Sequence, residues 1–166
     1  MVEKSQMQRA SDLTWMAKAL KLAQQAEDRA EVPIGAVVVR NGIVVAKAFN
    51  RRETWPSPIA HAEVLALHRA AQKLGAWRLT DCELFVTLEP CIMCAGLLVQ
   101  ARIKRVIYGA KDPKGGGVES LYQITEDRRL NHQVEVTSGV MAKECQSLLQ
   151  NFFKRRRLEN KAKLTL

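Results

Sequence analysis

Aromatic residues make up only 5% of this chain, and it contains just four cysteines and three histidines. No apolar run approaches the roughly 20 residues of a membrane-spanning helix. So few aromatics exclude the stacking surface of a general single-strand nucleic-acid binder. So few cysteines exclude a disulfide framework and fit a reducing compartment. Met1 to Ala10 is polar and charged rather than a basic stretch leading into an apolar one, so no secretory signal is expected there and the chain reads as cytoplasmic. Acidic residues are also short: 17 against 26 Lys and Arg, a net charge of +9 that points to an anionic partner. Repeats and low-complexity linkers are missing, and Lys111-Asp112-Pro113-Lys114-Gly115-Gly116-Gly117 lacks the spacing of a phosphate-binding loop and reads as a flexible loop. A chain of 166 residues is expected to form one domain, residues 1–166, with a core over about 11–157 and a basic tail over 158–166.

The metal-binding residue types present are concentrated in two short motifs, His61-Ala62-Glu63 and Pro90-Cys91-Ile92-Met93-Cys94. Zinc takes four tetrahedral ligands from nitrogen and sulfur, and a site with three protein ligands keeps its fourth position for water. His61, Cys91 and Cys94 make three, which predicts one zinc ion per chain in a catalytic setting. A helix beginning at Pro90 puts both sulfurs on one face of its first turn, where free backbone N–H groups favour thiolates. His61 and Glu63 are two residues apart, so Glu63 stands beside the metal ligand rather than on its face and is available as the proton carrier. A carboxylate of pKa ~4.3 is roughly 11 units too weak a base for bulk water, but only about 3 units short once zinc lowers the water pKa to near 7. The chemistry that uses both parts is hydrolytic deamination: water adds to an amino-bearing ring carbon, Glu63 relays its proton, and ammonia leaves. The pattern H-x-E followed by P-C-x-x-C is the signature of zinc nucleobase deaminases.

Competing readings exist for each part. A C-x-x-C pair alone also serves structural zinc or redox chemistry. The first would recruit a fourth ligand from Cys82, Cys145, His68 or His132, and the second leaves His61-Ala62-Glu63 without a role. Cys82 and Cys145 read as small buried hydrophobes, and His68 and His132 as satisfied structural residues.

The positive excess lies at the end of the chain. Lys154, Arg155, Arg156, Arg157, Lys161 and Lys163 face only Glu159, directly after Leu148, Leu149, Phe152 and Phe153 at helical spacing. Such a helix would dock by its apolar face and offer cations either to solvent or, beside a base-modifying site, to phosphates. Ser11 or Asp12 is expected to cap a helix carrying Leu13, Met16, Ala17 and Leu20. Ile34 to Val39 and Ile43 to Phe49 flank Asn41-Gly42 and predict a hairpin. A helix is expected from His61 to about Leu74 with Gly75 ending it, then a strand over Glu83 to Leu88, a helix over Cys91 to Ala101, and strands over Lys104 to Tyr108 and Gln133 to Thr137. That order predicts an α/β fold, a three-layer α/β/α sandwich around a mixed central sheet.

With Pro33-Ile34-Gly35-Ala36-Val37-Val38-Val39, Asn50, Ala60-His61-Ala62-Glu63, Thr87-Leu88-Glu89-Pro90-Cys91-Ile92-Met93-Cys94-Ala95-Gly96, Arg105-Val106-Ile107-Tyr108-Gly109-Ala110 and Asn151-Phe152-Phe153, the chain resembles the bacterial tRNA-specific adenosine deaminases from about Thr14 to Arg157. The resemblance implies a cytidine-deaminase-like fold, a homodimer, and conversion of the wobble adenosine in the anticodon stem-loop of an arginine tRNA to inosine. By position it also implies that Asn50 contacts the flipped nucleotide, Ala62 offers its backbone to the base and Pro90 walls the pocket. On the same basis Asp112 borders the RNA, and Phe152 with the basic residues after it approaches the anticodon loop. Asn50 could instead end a strand, Asp112 form a turn with Pro113, and Phe152 or Phe153 fill the core. The chain departs from the family before the histidine, where many members have Asp-Pro and this one has Ser57-Pro58 after Trp55-Pro56; Trp55 could stack on an unpaired base or pack. The rival with the same chemistry is a deaminase of free guanine, cytosine or a nucleoside, and the rival of another class is an RNA-binding module with structural zinc. The cationic terminal segment and, by family pattern, the histidine ligand argue against the first. The spare coordination position and adjacent acid argue against the second.

Overall fold

Alternating hydrophobic stretches place both faces of a single sheet in the protein interior. The computed structural model describes residues 2–164, with side chains from Gln6 onward. Its elements are α1 (Val2–Glu27), β1 (Gly35–Arg40), β2 (Ile43–Phe49), α2 (Ala62–Leu74), β3 (Cys82–Leu88), α3 (Ile92–Gln100), β4 (Arg105–Ala110), a 3₁₀ turn (Ile124–Glu126), β5 (Glu135–Thr137) and α4 (Ala142–Lys163). The strands lie in the order β2-β1-β3-β4-β5. β1 pairs antiparallel with β2 and β3, and β3-β4 and β4-β5 are parallel, so the sheet is mixed as expected. The hairpin turns at Asn41 and Gly42, both at positive φ, the geometry that matches the twist of paired strands.

Period-two alternation divides the core. Val38, Leu84, Val86, Val106 and Tyr108 point to one side and pack with Leu65, Ala66 and Leu98 of α2 and α3. Val37, Val39, Phe85 and Ile107 point to the other and meet Met16, Leu20 and Cys145 of α1 and α4. The result is the expected three layers. Cys82 and Cys145 are buried at 1% exposure, as small hydrophobes would be. Among the described residues no helix is long and apolar enough to cross a membrane.

The first helix differs from expectation in start and phase. It begins at Val2, so Ser11 and Asp12 are interior rather than capping, and the Ser11 hydroxyl donates back to the Gln8 carbonyl at 2.9 Å. Glu, Lys, Gln, Arg and Met in the first ten residues are good helix formers, which explains the added turns. Asp12 takes the inward-facing position and Leu13 is turned out at 51% exposure. The Asp12 carboxylate accepts two bonds from Arg105, at 2.6 and 3.0 Å, while Arg105 Nε donates to Glu83 at 2.7 Å. This buried network ties α1 to the starts of β3 and β4, and its carboxylates hold the Arg105 guanidinium firmly in its charged form.

Breaking a buried pair leaves a desolvated charge, whereas an exposed pair contributes little. Asp12→Ala should therefore cost about 3 kcal/mol in chemical denaturation. Asp81→Ala, which removes the exposed Arg40–Asp81 pair, should cost less than about 1 kcal/mol. Equal losses would remove the network from its structural role.

Candidate active site

Both motifs stand at helix starts, where backbone N–H groups have no intrahelical partner. His61 is the N-cap of α2 and Cys91 the N-cap of α3, both with extended backbone and neither using its side chain to cap. A position that usually holds Ser, Thr, Asp or Asn bonded to the following turn here releases its side chain to the site. Cys94 lies three residues beyond Cys91 and faces the same way, so the helix start sits one residue later than expected without changing the pairing. His61 Nδ1 is 3.7 Å from Cys91 Sγ and 3.6 Å from Cys94 Sγ, and the three ligand atoms lie within 4.8 Å of one another.

These residues could hold a metal ion. Bonds of 2.0–2.3 Å at tetrahedral angles separate ligand atoms by about 3.5 Å, close to the spacings found. Charge agrees with geometry. The hydrogen bond from Cys94 pulls the Cys91 thiol down to about 3, and the same pairing together with burial pushes the Cys94 thiol up. Bonding to Cys91 raises the His61 imidazole. The trio thus gathers positive charge around a thiolate, and a bound cation can take the place of those protons.

Glu63 is in the first turn of α2, buried at 4% exposure and outside the three-atom group. Burial pushes its carboxyl up to about 6, which suits a group that must both take and give a proton near neutral pH. Ala62 is fully buried at the helix start, Pro90 is buried beside Cys91, and Asn50 is buried just after β2. Asn50 Nδ2 donates to Glu31 Oε2 at 3.3 Å, so the residue does more than end a strand.

A deaminase family model described as MafB19-like matches residues 10–157. The tRNA-specific adenosine deaminase of Bacillus subtilis is 49% identical over 91% of this chain and 94% of its own length. The chain belongs to the tRNA-specific adenosine deaminase family. A solved tRNA:A34 deaminase, of the A-to-I editing type that acts at the wobble position of transfer RNA, superposes with a TM-score of 0.79 at 43% identity, covering 82% of this chain and 99% of that one. A solved guanine deaminase from Bacillus subtilis is 40% identical but covers 59% of this chain and 63% of its own, with a TM-score of 0.57.

The deaminase's other sequence-predicted residues divide. Asp112 is half-buried and its Oδ1 accepts from the N–H groups of Lys114 and Gly115 at 3.0 and 3.1 Å, the turn that was its competing reading. The loop after it is not the flexible segment its composition suggested. Its backbone wraps the carboxylate of Glu89, itself 2% exposed, which accepts from the N–H groups of Asp112, Val118, Glu119 and Ser120 and from the Ser120 hydroxyl. Burial pushes this carboxyl up, but the donors outweigh it and hold Glu89 below the usual carboxylate range.

Phe152 is buried, at 5% exposure, and Phe153 is exposed, at 43%. Successive helical residues point about 100° apart, so the two rings meet different surroundings, and the more exposed of them is Phe153. It lines a groove of about 510 Å³ with Leu88, Leu149, Lys111, Lys114 and Arg157. Residues from Leu158 onward continue α4 to Lys163, and Arg155 turns back to pair with Glu27 of α1. Trp55 is exposed on the loop that precedes His61, and Glu31 Oε1 accepts from the N–H groups of Glu53 and Thr54 beside it. His132 Nε2 donates to the Ile103 carbonyl at 2.7 Å and is structural; His68 is exposed on α2, away from the ligand group. Sequence reasoning missed Glu31 and Glu89, whose one signal was an acid inside otherwise apolar stretches, Glu31-Val32-Pro33 and Leu88-Glu89-Pro90.

Metal content measured on purified variants tests this geometry. His61→Ala and Cys94→Ala should lose the metal, while Glu63→Gln should keep about as much as the parent protein; loss from Glu63→Gln would make it a ligand and contradict the arrangement.

Proposed function

We propose that this deaminase converts adenosine to inosine at the wobble position of a tRNA anticodon stem-loop, that of an arginine tRNA, with one zinc ion per chain held by His61, Cys91 and Cys94. The observation that carries the reading is a three-ligand group with a buried carboxylate, Glu63, next to it but not in it. When bound there, zinc supplies the Lewis acidity that makes water a nucleophile at neutral pH. The rest is the work of the chain. Glu63 takes one proton from the attacking water at a carboxylate oxygen and passes it to ring N1 as oxygen adds at C6; it then takes the second proton from the new C6 hydroxyl and gives it to the departing amino group, so that adenosine and water give inosine and ammonia. Ala62 presents its free helix-start N–H to the base, Asn50 contacts the nucleotide with its amide held by Glu31, and Pro90 walls the pocket.

Adenosine inside a duplex is out of reach, so the target base must be extruded into the pocket. The groove along α4 supports RNA rather than a free base: an apolar floor of Leu88 and Leu149, the ring of Phe153 and three cations are what a neighbouring base and its phosphates need. Phe153 replaces Phe152 in this role, and Asp112 borders the same groove. The match to the solved tRNA deaminase runs over nearly all of that protein, which supports the same choice. We also take the chain to be one deaminase domain with its core over about 11–157, acting as a homodimer in the cytoplasm. An apolar groove between α2 and α3 edged by the exposed Trp77 supports the dimer.

The test is inosine formation on an RNA stem-loop carrying an arginine anticodon with adenosine at the wobble position. The zinc-loaded protein should form inosine there and Glu63→Gln should not; turnover of free guanine with none on RNA would establish the free-base reading instead. Phe153→Ala should raise KM for RNA about tenfold, in keeping with ~1–3 kcal/mol per stacked base. Removing residues 154–166 should flatten the salt dependence of RNA binding by about 0.7 log units per log of salt for each lost phosphate contact. An unchanged slope would make those cations a solvated surface only.

A further inference from the structure

We propose that Glu89 is a positioning residue whose carboxylate winds residues 112–120 into a strap over Pro90 and Cys91 and so holds the Cys91 sulfur in place beside His61 and Cys94. The inference rests on the metal-holding role given to those three residues above.

One buried side chain gathers both ends of the loop. Oε2 accepts from the Asp112 N–H at 2.9 Å, at the start, and from the Ser120 hydroxyl. Oε1 accepts from the N–H groups of Val118, Glu119 and Ser120 at 3.3, 2.8 and 2.8 Å, at its end. Between these anchors the strap lies on the ligand segment: Gly117 N donates to the Pro90 carbonyl at 2.8 Å, and Gly116 pairs with Cys91 as an isolated antiparallel bridge. The approach is close enough to require glycine. A Cβ on Gly116 would come within 2.4 Å of the Glu89 carboxyl carbon, and one on Gly117 within 2.9 Å of the Ile92 backbone. The Cys91 side chain makes no capping bond; its carbonyl accepts from the Ala95 N–H at 2.8 Å on the helix side, and the strap restrains its backbone from the outer side.

Glutamine fits the same space but offers one acceptor oxygen, and its NH₂ would face N–H donors at one end of the strap. The test uses zinc alone as probe, titrated into the folded full-length protein in competition with a chromophoric chelator. Outer-shell partners of metal ligands typically account for 10–100-fold in affinity, and Glu89→Gln should weaken zinc binding by about that factor. Asp12→Ala, destabilised through the remote Arg105 network, should bind zinc as the parent does; this separates positioning from general loss of stability. If Glu89→Gln does not fold, Gly116→Ala, which forces the strap off the same carboxylate, should show the same weakening. Parental zinc affinity in Glu89→Gln, or in Gly116→Ala where it stands in, would overturn the proposal while leaving the deaminase reading intact. A parent protein that takes up no zinc would overturn both.

Discussion

Three side-chain atoms from two helix starts, a group that could hold a metal ion, must meet in one place, and most of the architecture answers to that requirement. The parallel β3-β4 pair and the antiparallel β1-β3 pair set strand ends so that α2 and α3 begin side by side. Each helix gives its N-cap side chain to the site instead of to its own backbone. That choice forgoes a capping bond typically worth about 1 kcal/mol at each helix. Packing of α2 and α3 on the α2-α3 face of the sheet offsets it, with Ala62, Ala66, Ala95 and Leu98 fully buried.

Three buried glutamates show how environment assigns work to one residue type. Glu31 and Glu89 are surrounded by backbone N–H donors and act as tie points, one for the loop carrying Thr54 and Trp55, the other for the strap that follows Asp112. A buried carboxyl group is tolerated in the interior when its oxygens are hydrogen-bonded, and those of these two are. Glu63 lacks such a set of donors, so desolvation dominates and brings it close to neutral pH. Two of the buried glutamates are thus structural ties, and burial leaves the third able to titrate near neutral pH.

Much of this was legible in the sequence for a physical reason. Whether a group could hold a metal depends on residue type and local spacing, and His61, Cys91 and Cys94 declare both. The Asn41-Gly42 turn and the apolar alternation of β1 and β3 are likewise local signals. What was hidden depends on contacts distant in sequence. Asp12 looked like a helix cap because Arg105, its partner from β4, is 93 residues away. The glycine-rich loop looked flexible because composition cannot reveal that a single carboxylate would gather its N–H groups. Phe152 and Phe153 were indistinguishable until the phase of α4 on the sheet turned one inward.

X-ray absorption at the zinc edge of the loaded protein is the most direct test, because it counts ligands without presupposing a substrate. The account predicts two sulfurs at about 2.3 Å and two lighter atoms near 2.0 Å, with only one imidazole in the pattern. A third sulfur, from Cys82 or Cys145, or a second imidazole, from His68 or His132, would close the open position and make the site structural.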